Sequence, residues 1–212
     1  MDAIQRLYNL EINIKREEVT RLLGYGRGEV PDRVKKILSE IEERAPELLD
    51  PKCAWRRLRR HDLSHSPYLY HVDAVALCLV TIGPKLEEAL EDYKREGQLG
   101  RALVLDMYGS AAAEAAADAA NAVIESELTE KGYYCSNRFS PGYACWDVKE
   151  QKWVLPTLEG EELGVTLTEG FMMSPRKSIT FAVTFGETPV QSKHDHTCAN
   201  CGMVDCLYKR EE

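Results

Sequence analysis

The stretch from Val72 to Ile82, VDAVALCLVTI, is a nearly continuous run of apolar residues rich in valine and leucine. A short run of this kind, without polar alternation, is typical of a strand that is covered on both faces. Gly83 and Pro84 mark its end, and an amphipathic helical pattern follows directly. We therefore predict a central, fully buried strand at residues 72–82.

The elements around this strand are predicted from periodicity and from turn residues. Helices are expected at residues 16–23, after Pro31, from Leu86 to about Gly97, at 147–155 and, as the longest, from Leu99 to about Leu128. Strands are expected at residues 10–14, 165–167 and 178–185. Because helices and strands alternate without a regular βαβ rhythm, the pattern indicates an α+β fold. We expect one domain over residues 1–190 and a distinct Cys/His-rich tail over residues 191–212.

Composition excludes several classes of protein. The chain has 212 residues, of which 44% are hydrophobic and 29% charged, as is usual for globular proteins. Its net charge of −8 disfavours nucleic-acid binding, which normally needs a basic surface. No apolar run approaches the roughly 20 residues needed to cross a bilayer, and no signal peptide is evident. We expect a cytoplasmic protein that binds neither nucleic acid nor membranes.

The six residues from Arg138 to Tyr143, RFSPGY, form the segment with the most chemical character. Arg138 offers a planar guanidinium suited to a carboxylate or phosphate. Pro141 fixes its own φ, and Gly142 permits backbone angles and a close ligand approach that a Cβ would block. Tyr143 adds an aromatic face and a hydroxyl. Such a loop suits a small zwitterionic or nucleoside ligand, although a Pro-Gly pair alone is typical of an ordinary turn.

Two further segments accompany this loop. Upstream, an alanine-rich helix carries Ala113-Glu114-Ala115, and downstream lies LTEGFMMSP at residues 167–175. In this order, over about residues 100–185, the segments resemble the activation domain of cobalamin-dependent methionine synthase. The S-adenosylmethionine signature of that domain is R-x-x-x-G-Y, and it is followed by an L-T-E-x-F-x-M-x-P segment. The resemblance implies an α+β fold with a mixed or antiparallel sheet and packed helices.

The resemblance also implies a function and a set of site residues. The chain would be a short, stand-alone S-adenosylmethionine-binding component of a cobalamin-dependent methyltransferase system, supporting reductive reactivation of cob(II)alamin. The implied roles are carboxylate binding by Arg138, main-chain hydrogen bonds and close approach at Ser140 and Gly142, polar contacts by Glu114, and proximity of Tyr143 to the transferred methyl group or the corrin face. Glu114 and Asp118 lie four residues apart on one helix face. Charged residues on an otherwise alanine surface usually face solvent, so solvent exposure of both is the alternative.

The cobalamin is expected on another polypeptide, because the sequence contains no D-x-H-x-x-G corrinoid motif. The expected partner is a corrinoid-binding protein or the other methionine synthase modules, with flavodoxin or ferredoxin as electron donor. The basic stretch from Trp55 to His61 is interpreted as a solvated helix face or loop. A docking site for an acidic partner such as flavodoxin is the alternative for that stretch.

The C-terminal tail is a second chemical feature and lies outside the resemblance. Cys198, Cys201 and Cys206, with His196 just upstream, have a spacing that would suit tetrahedral zinc or an iron–sulfur cluster. A redox-active dithiol or a tail of reduced, inert thiols are the alternatives. The tail therefore suggests a second possible function, a non-catalytic metal or iron–sulfur redox protein on the same scaffold.

Overall fold

The computed structural model describes residues 2–26, 28–143 and 146–189. The strands are β1 (Gln5–Tyr8), β2 (Lys52–Arg59), β3 (Ala74–Thr81), β4 (Tyr134–Cys135), β5 (Thr166–Leu167), β6 (Met173–Ser174) and β7 (Ser178–Gly186). The α-helices are α1 (Arg16–Leu22), α2 (Asp32–Leu48), α3 (Lys85–Arg95), α4 (Leu99–Glu130) and α5 (Gln151–Thr157). Short 3₁₀ turns occupy Arg60–Asp62, Val148–Glu150 and Gly160–Leu163.

The described strands form one five-stranded antiparallel sheet in the order β1-β2-β3-β7-β4, and β5 pairs with β6 in a separate hairpin. Strand β3 lies at the centre, and all eight of its residues are buried. The predicted central strand is thereby confirmed. The α+β prediction, with an antiparallel sheet and packed helices, is confirmed as well.

Each face of the sheet has its own hydrophobic layer. Trp55, Cys78 and Phe181 are aligned across β2, β3 and β7, and they pack with α1 to α4 in one cluster. Residues of opposite parity, such as Leu77, pack in a second cluster with Trp146 and with α5. Alternate residues of a strand point to opposite faces, so a strand covered on both sides must be apolar throughout. The continuous apolar run of β3 follows from this arrangement.

Helix α4 packs through very small side chains, as the alanine-rich sequence predicts. Seven of its alanines are at most 5% exposed: Ala102, Ala111, Ala112, Ala113, Ala116, Ala117 and Ala120. The helix continues through Gly109, where an added Cβ would lie 2.7 Å from Cδ2 of the buried Leu86. The absence of a side chain at this position therefore lets α3 pack closely on α4.

Two local predictions are wrong. Residues 10–14 form no strand, because β1 ends earlier and Asn9 turns the chain with a φ of 57°. The amide of Leu10 donates to the carbonyl of Pro51 at 2.9 Å, and Ile12 and Ile14 pack against the helix-side cluster. The apolar alternation thus reflects irregular backbone that covers the core rather than a strand.

The stretch from Trp55 to His61 is not a helix face or a loop, because most of it belongs to β2. Trp55 is only 1% exposed. Arg57 pairs with Asp2 at 2.8 Å, and Arg60 pairs with Asp73 at 2.8 Å. Arg57 lies in β2 and Arg60 in the 3₁₀ turn that follows. The charged ends of both side chains reach partners within the chain. These contacts favour a structural role for the stretch.

None of the helices in the described ranges combines the length and the hydropathy that a membrane span requires.

We expect Gly109→Val to lower the free energy of unfolding by about 1–3 kcal/mol, because it overpacks the α3–α4 contact. The matched control is Gly100→Val on the same helix, where an added Cβ meets no atom within 4 Å. The control should change the free energy of unfolding by no more than about 0.5 kcal/mol. Urea denaturation measures both, and equal effects of the two substitutions would contradict the packing role of Gly109.

Candidate functional site

The segment after β4 carries Arg138 along the edge of the sheet. Phe139 forms an antiparallel bridge with Ala182 of β7, with N–H to O=C distances of 3.0 and 2.8 Å. Because successive residues of extended backbone point to opposite sides, Phe139 enters the cluster on the sheet face opposite to α1–α4. Arg138 lies on the other side, where its Cζ is 5.8 Å from the ring centroid of Phe181. The bridge therefore presents Arg138 to α4.

Two carboxylates of α4 form ion pairs with this guanidinium. Nη2 of Arg138 lies 2.6 Å from Oε2 of Glu114 and 2.8 Å from Oδ1 of Asp118. Residues four apart share a helix face, so both acidic groups can reach one arginine. The structure thus places Glu114 beside Arg138 and leaves its side chain 39% exposed. We name these three residues the ion-pair cluster.

The cluster is partly withdrawn from water. The side chain of Arg138 is 19% exposed, compared with 59% for that of Asp118. Burial by itself lowers the pKa of Arg138, but the charge and hydrogen bond of Glu114, followed by those of Asp118, outweigh this effect and raise the pKa above its usual value. The guanidinium stays charged, and since two carboxylates face it, the cluster is negative overall.

The rest of the signature loop folds back on itself. The amide of Tyr143 donates to the carbonyl of Ser140 at 3.3 Å, and the amide of Gly142 donates to the carbonyl of Trp146 at 2.8 Å. Gly142 has a φ of +92°, which a side chain would strain. Tyr143 is 65% exposed. The loop thus commits the Gly142 amide internally and presents a tyrosine to solvent.

An aromatic cluster supports the loop from beneath. Tyr68 stacks on Trp146 with centroids 5.4 Å apart and an interplanar angle of 7°. Phe139 lies 5.4 Å from Trp146 and 6.1 Å from Tyr68, also measured between centroids. Trp146 and Phe139 are almost completely buried. The sequence analysis did not predict this aromatic cluster. The available signal was Phe139 within the signature and Trp146 shortly after it.

Sequence reasoning also left Asp118 out of the site, although its spacing from Glu114 was visible. The predicted site residues otherwise fall into two groups. Glu114 and Arg138 are in direct contact, while Ser140, Gly142 and Tyr143 share the turn that follows. An open cleft of about 480 Å³, lined by residues that include His65, Tyr68, Asp147 and Trp153, contains none of the predicted site residues.

The predicted metal ligands, Cys198, Cys201, Cys206 and His196, lie outside the described residues. Within residues 2–26, 28–143 and 146–189, no group of three or more His, Cys, Asp or Glu side chains is placed to hold a metal ion. Metal binding by the tail stays a prediction.

Comparisons with known proteins bear on the family and on the fold. The sequence model of the family described as vitamin B12 dependent methionine synthase, activation domain, matches residues 60–193. Among solved structures, the chain is similar to one described as the crystal structure of the MetH reactivation domain bound to AdoHcy, with a TM-score of 0.66 and 17% identity. That match covers 86% of this chain and 78% of the other. No curated protein matches in sequence.

The two positive findings agree with the architecture. At 17% identity the structural likeness establishes the fold, and the family match includes the signature loop, the whole of α4 and β7. The resemblance drawn from the three sequence motifs is confirmed. Since the family match extends over more than half of the chain, this protein belongs to the family of the activation domain of vitamin B12-dependent methionine synthase.

Proposed function

We propose that this chain binds S-adenosylmethionine at the ion-pair cluster and the signature loop, and that it supports reductive reactivation of cob(II)alamin carried in trans by a corrinoid protein. The observation that carries the proposal is the placement of Arg138. Its guanidinium is mostly buried at a sheet edge, between two carboxylates and directly before a glycine-containing loop. A charged fork held beside carboxylates in this position is suited to the recognition of a zwitterion.

The groups present fit the amino-acid end of S-adenosylmethionine. A guanidinium is the natural partner of the ligand carboxylate, and carboxylates are natural partners of an ammonium or sulfonium. The structurally similar reactivation domain is described as bound to AdoHcy, which has the same amino-acid end. The exposed ring of Tyr143 offers a surface for the remainder of the ligand or for the corrin.

We assign the roles residue by residue. Arg138 binds the carboxylate and Glu114 binds polar groups of the ligand. Ser140 contributes main-chain hydrogen bonding, and Tyr143 lies near the transferred methyl group or the corrin face. The amide of Gly142 already donates to Trp146, so the contribution of Gly142 is close approach rather than an N–H donor.

The chain itself needs to supply little acid–base chemistry. When bound, the corrinoid supplies a nucleophilic cobalt and S-adenosylmethionine supplies a methyl group on a good leaving group. Holding two reactants in line contributes a large part of the rate enhancement of such reactions. The partners we propose are a corrinoid-binding protein or methionine synthase modules, with flavodoxin or ferredoxin as the electron donor.

The tail supports a separate proposal, that Cys198, Cys201, Cys206 and His196 hold zinc or an iron–sulfur cluster. Its support is the spacing of the ligands in the sequence. Elemental analysis of anaerobically purified protein tests it. Stoichiometric zinc or iron is the expected result, and a colourless protein that contains neither metal would remove the proposal.

We expect Arg138→Ala to weaken S-adenosylhomocysteine binding at least about 30-fold, because a charge-assisted hydrogen bond contributes on the order of 2–3 kcal/mol. Isothermal titration calorimetry measures the affinity. The fold should survive, since the two carboxylates left behind are 39% and 59% exposed and can be hydrated.

The matched control for this variant is Arg60→Ala, which removes an arginine paired with one carboxylate, Asp73, away from the loop. Its affinity for S-adenosylhomocysteine should equal that of the wild type. Equal affinities in the wild type and in Arg138→Ala would refute the assignment of Arg138.

We further expect the chain to promote methyl transfer in trans. The assay mixes the protein with a cobalamin-binding methionine synthase module in the cob(II) state, a low-potential reductant and methyl-labelled S-adenosylmethionine. Label should accumulate on the cobalamin faster with the wild-type chain than without it, and Arg138→Ala should remove most of that difference. A transfer rate that does not depend on the chain would contradict the proposed role.

A further inference from the structure

We propose that Asp118 is a specificity-determining residue, which admits ligands that carry an α-ammonium beside their carboxylate and disfavours simple anions. This inference deepens the proposed function and rests on it. The juxtaposition that supports it is the presence of two carboxylates, rather than one, on the same nitrogen of Arg138.

The two carboxylates hold Arg138 differently. The Glu114 contact is shorter, at 2.6 Å against 2.8 Å, and the Glu114 side chain is less exposed, at 39% against 59%. Glu114 also has the larger effect in raising the pKa of Arg138. Asp118 is therefore the outer and more weakly held carboxylate, and it is the one that a ligand arriving from solvent meets first.

Charge balance then restricts what can bind. A ligand carboxylate placed on Arg138 brings a third negative charge to a single guanidinium, and like charges at this distance repel. The repulsion is relieved when the ligand also brings a cation. In the arrangement we propose, the ligand carboxylate replaces Asp118 on Arg138, and Asp118 accepts a hydrogen bond from the adjacent α-ammonium. The zwitterion leaves the net charge of the cluster unchanged, and each of the three carboxylates then faces a cation: Glu114 and the ligand carboxylate face Arg138, and Asp118 faces the ammonium.

A ligand without the ammonium gains much less from the same exchange. It removes Asp118 from Arg138 and leaves that carboxylate without a compensating cation. The second carboxylate thereby acts against ligands that present only an anion, which is how repulsive elements create specificity. Common cellular carboxylates would be rejected by the same rule.

The experiment compares two ligands on three proteins by calorimetry. The ligands are S-adenosylhomocysteine and 5′-S-(3-carboxypropyl)-5′-thioadenosine, which differ in the α-amino group. The proteins are the wild type, Asp118→Asn and the control Glu130→Gln. The asparagine retains an oxygen for Arg138 and removes the charge. Glu130 is an exposed carboxylate at the end of α4, about 18 Å along the helix from Asp118 at 1.5 Å per residue.

The wild type should prefer the amino-bearing ligand by about tenfold or more, which corresponds to about 1.4 kcal/mol. Asp118→Asn should weaken S-adenosylhomocysteine about tenfold and bind the deamino ligand as well as or better than the wild type does, so that the preference is nearly lost. Glu130→Gln should retain the wild-type preference. Thermal unfolding midpoints should be alike in all three proteins.

Three results would overturn the inference. If Asp118→Asn weakens both ligands equally, Asp118 only positions Arg138. If it leaves the preference unchanged, Asp118 plays no part in recognition. In either case binding that is sensitive to Arg138→Ala would leave the proposed function standing. If the wild type binds neither ligand, the proposed function fails and the inference fails with it.

Discussion

The close approach of α4 to the sheet is the constraint on which the site depends. Ala112, Ala116 and Ala117 are fully buried, so the helix lies against its neighbours with almost no side-chain layer between them. Aspartate and glutamate side chains are short, and they reach the sheet edge only if the helix axis is near it. Larger residues at these positions would move the helix outward, and the ion pairs with Arg138 would be lost before any change in fold.

The second constraint is the single bridge between Phe139 and Ala182. It sets the side of the sheet edge to which Arg138 points, and it anchors the signature loop through the aromatic residues packed behind Phe139. The ion pairs then hold the guanidinium in place before a ligand arrives. Such pre-organisation reduces the ordering cost of binding, at the expense of contacts that the ligand must replace. Under the function proposed for this site, the preferred ligand is one that supplies both charges.

Particular residues show where prediction from the sequence succeeds. The run at residues 72–82 and the alanines of α4 were assigned correctly, because burial on two faces and close helix packing leave local signatures. Prediction was wrong where charged residues or an apolar–polar alternation arose for a reason other than the one predicted. The arginines of β2 resemble a solvated surface until their partners are known, and Leu10 alternates with polar residues because irregular backbone also has an inner and an outer side.

The sequence by itself determined the family, through a signature loop, an A-E-A helix and a downstream L-T-E segment whose order was sufficient for recognition. It also determined the central strand and the small-residue face of α4. Only the tertiary structure decided that Asp118 joins Glu114 on Arg138, and that the Gly142 amide is committed within the loop. Arg138 and Asp118 lie 20 residues apart in the sequence, and their contact depends on how α4 packs against the edge of the sheet. Local periodicity carries no information about this packing.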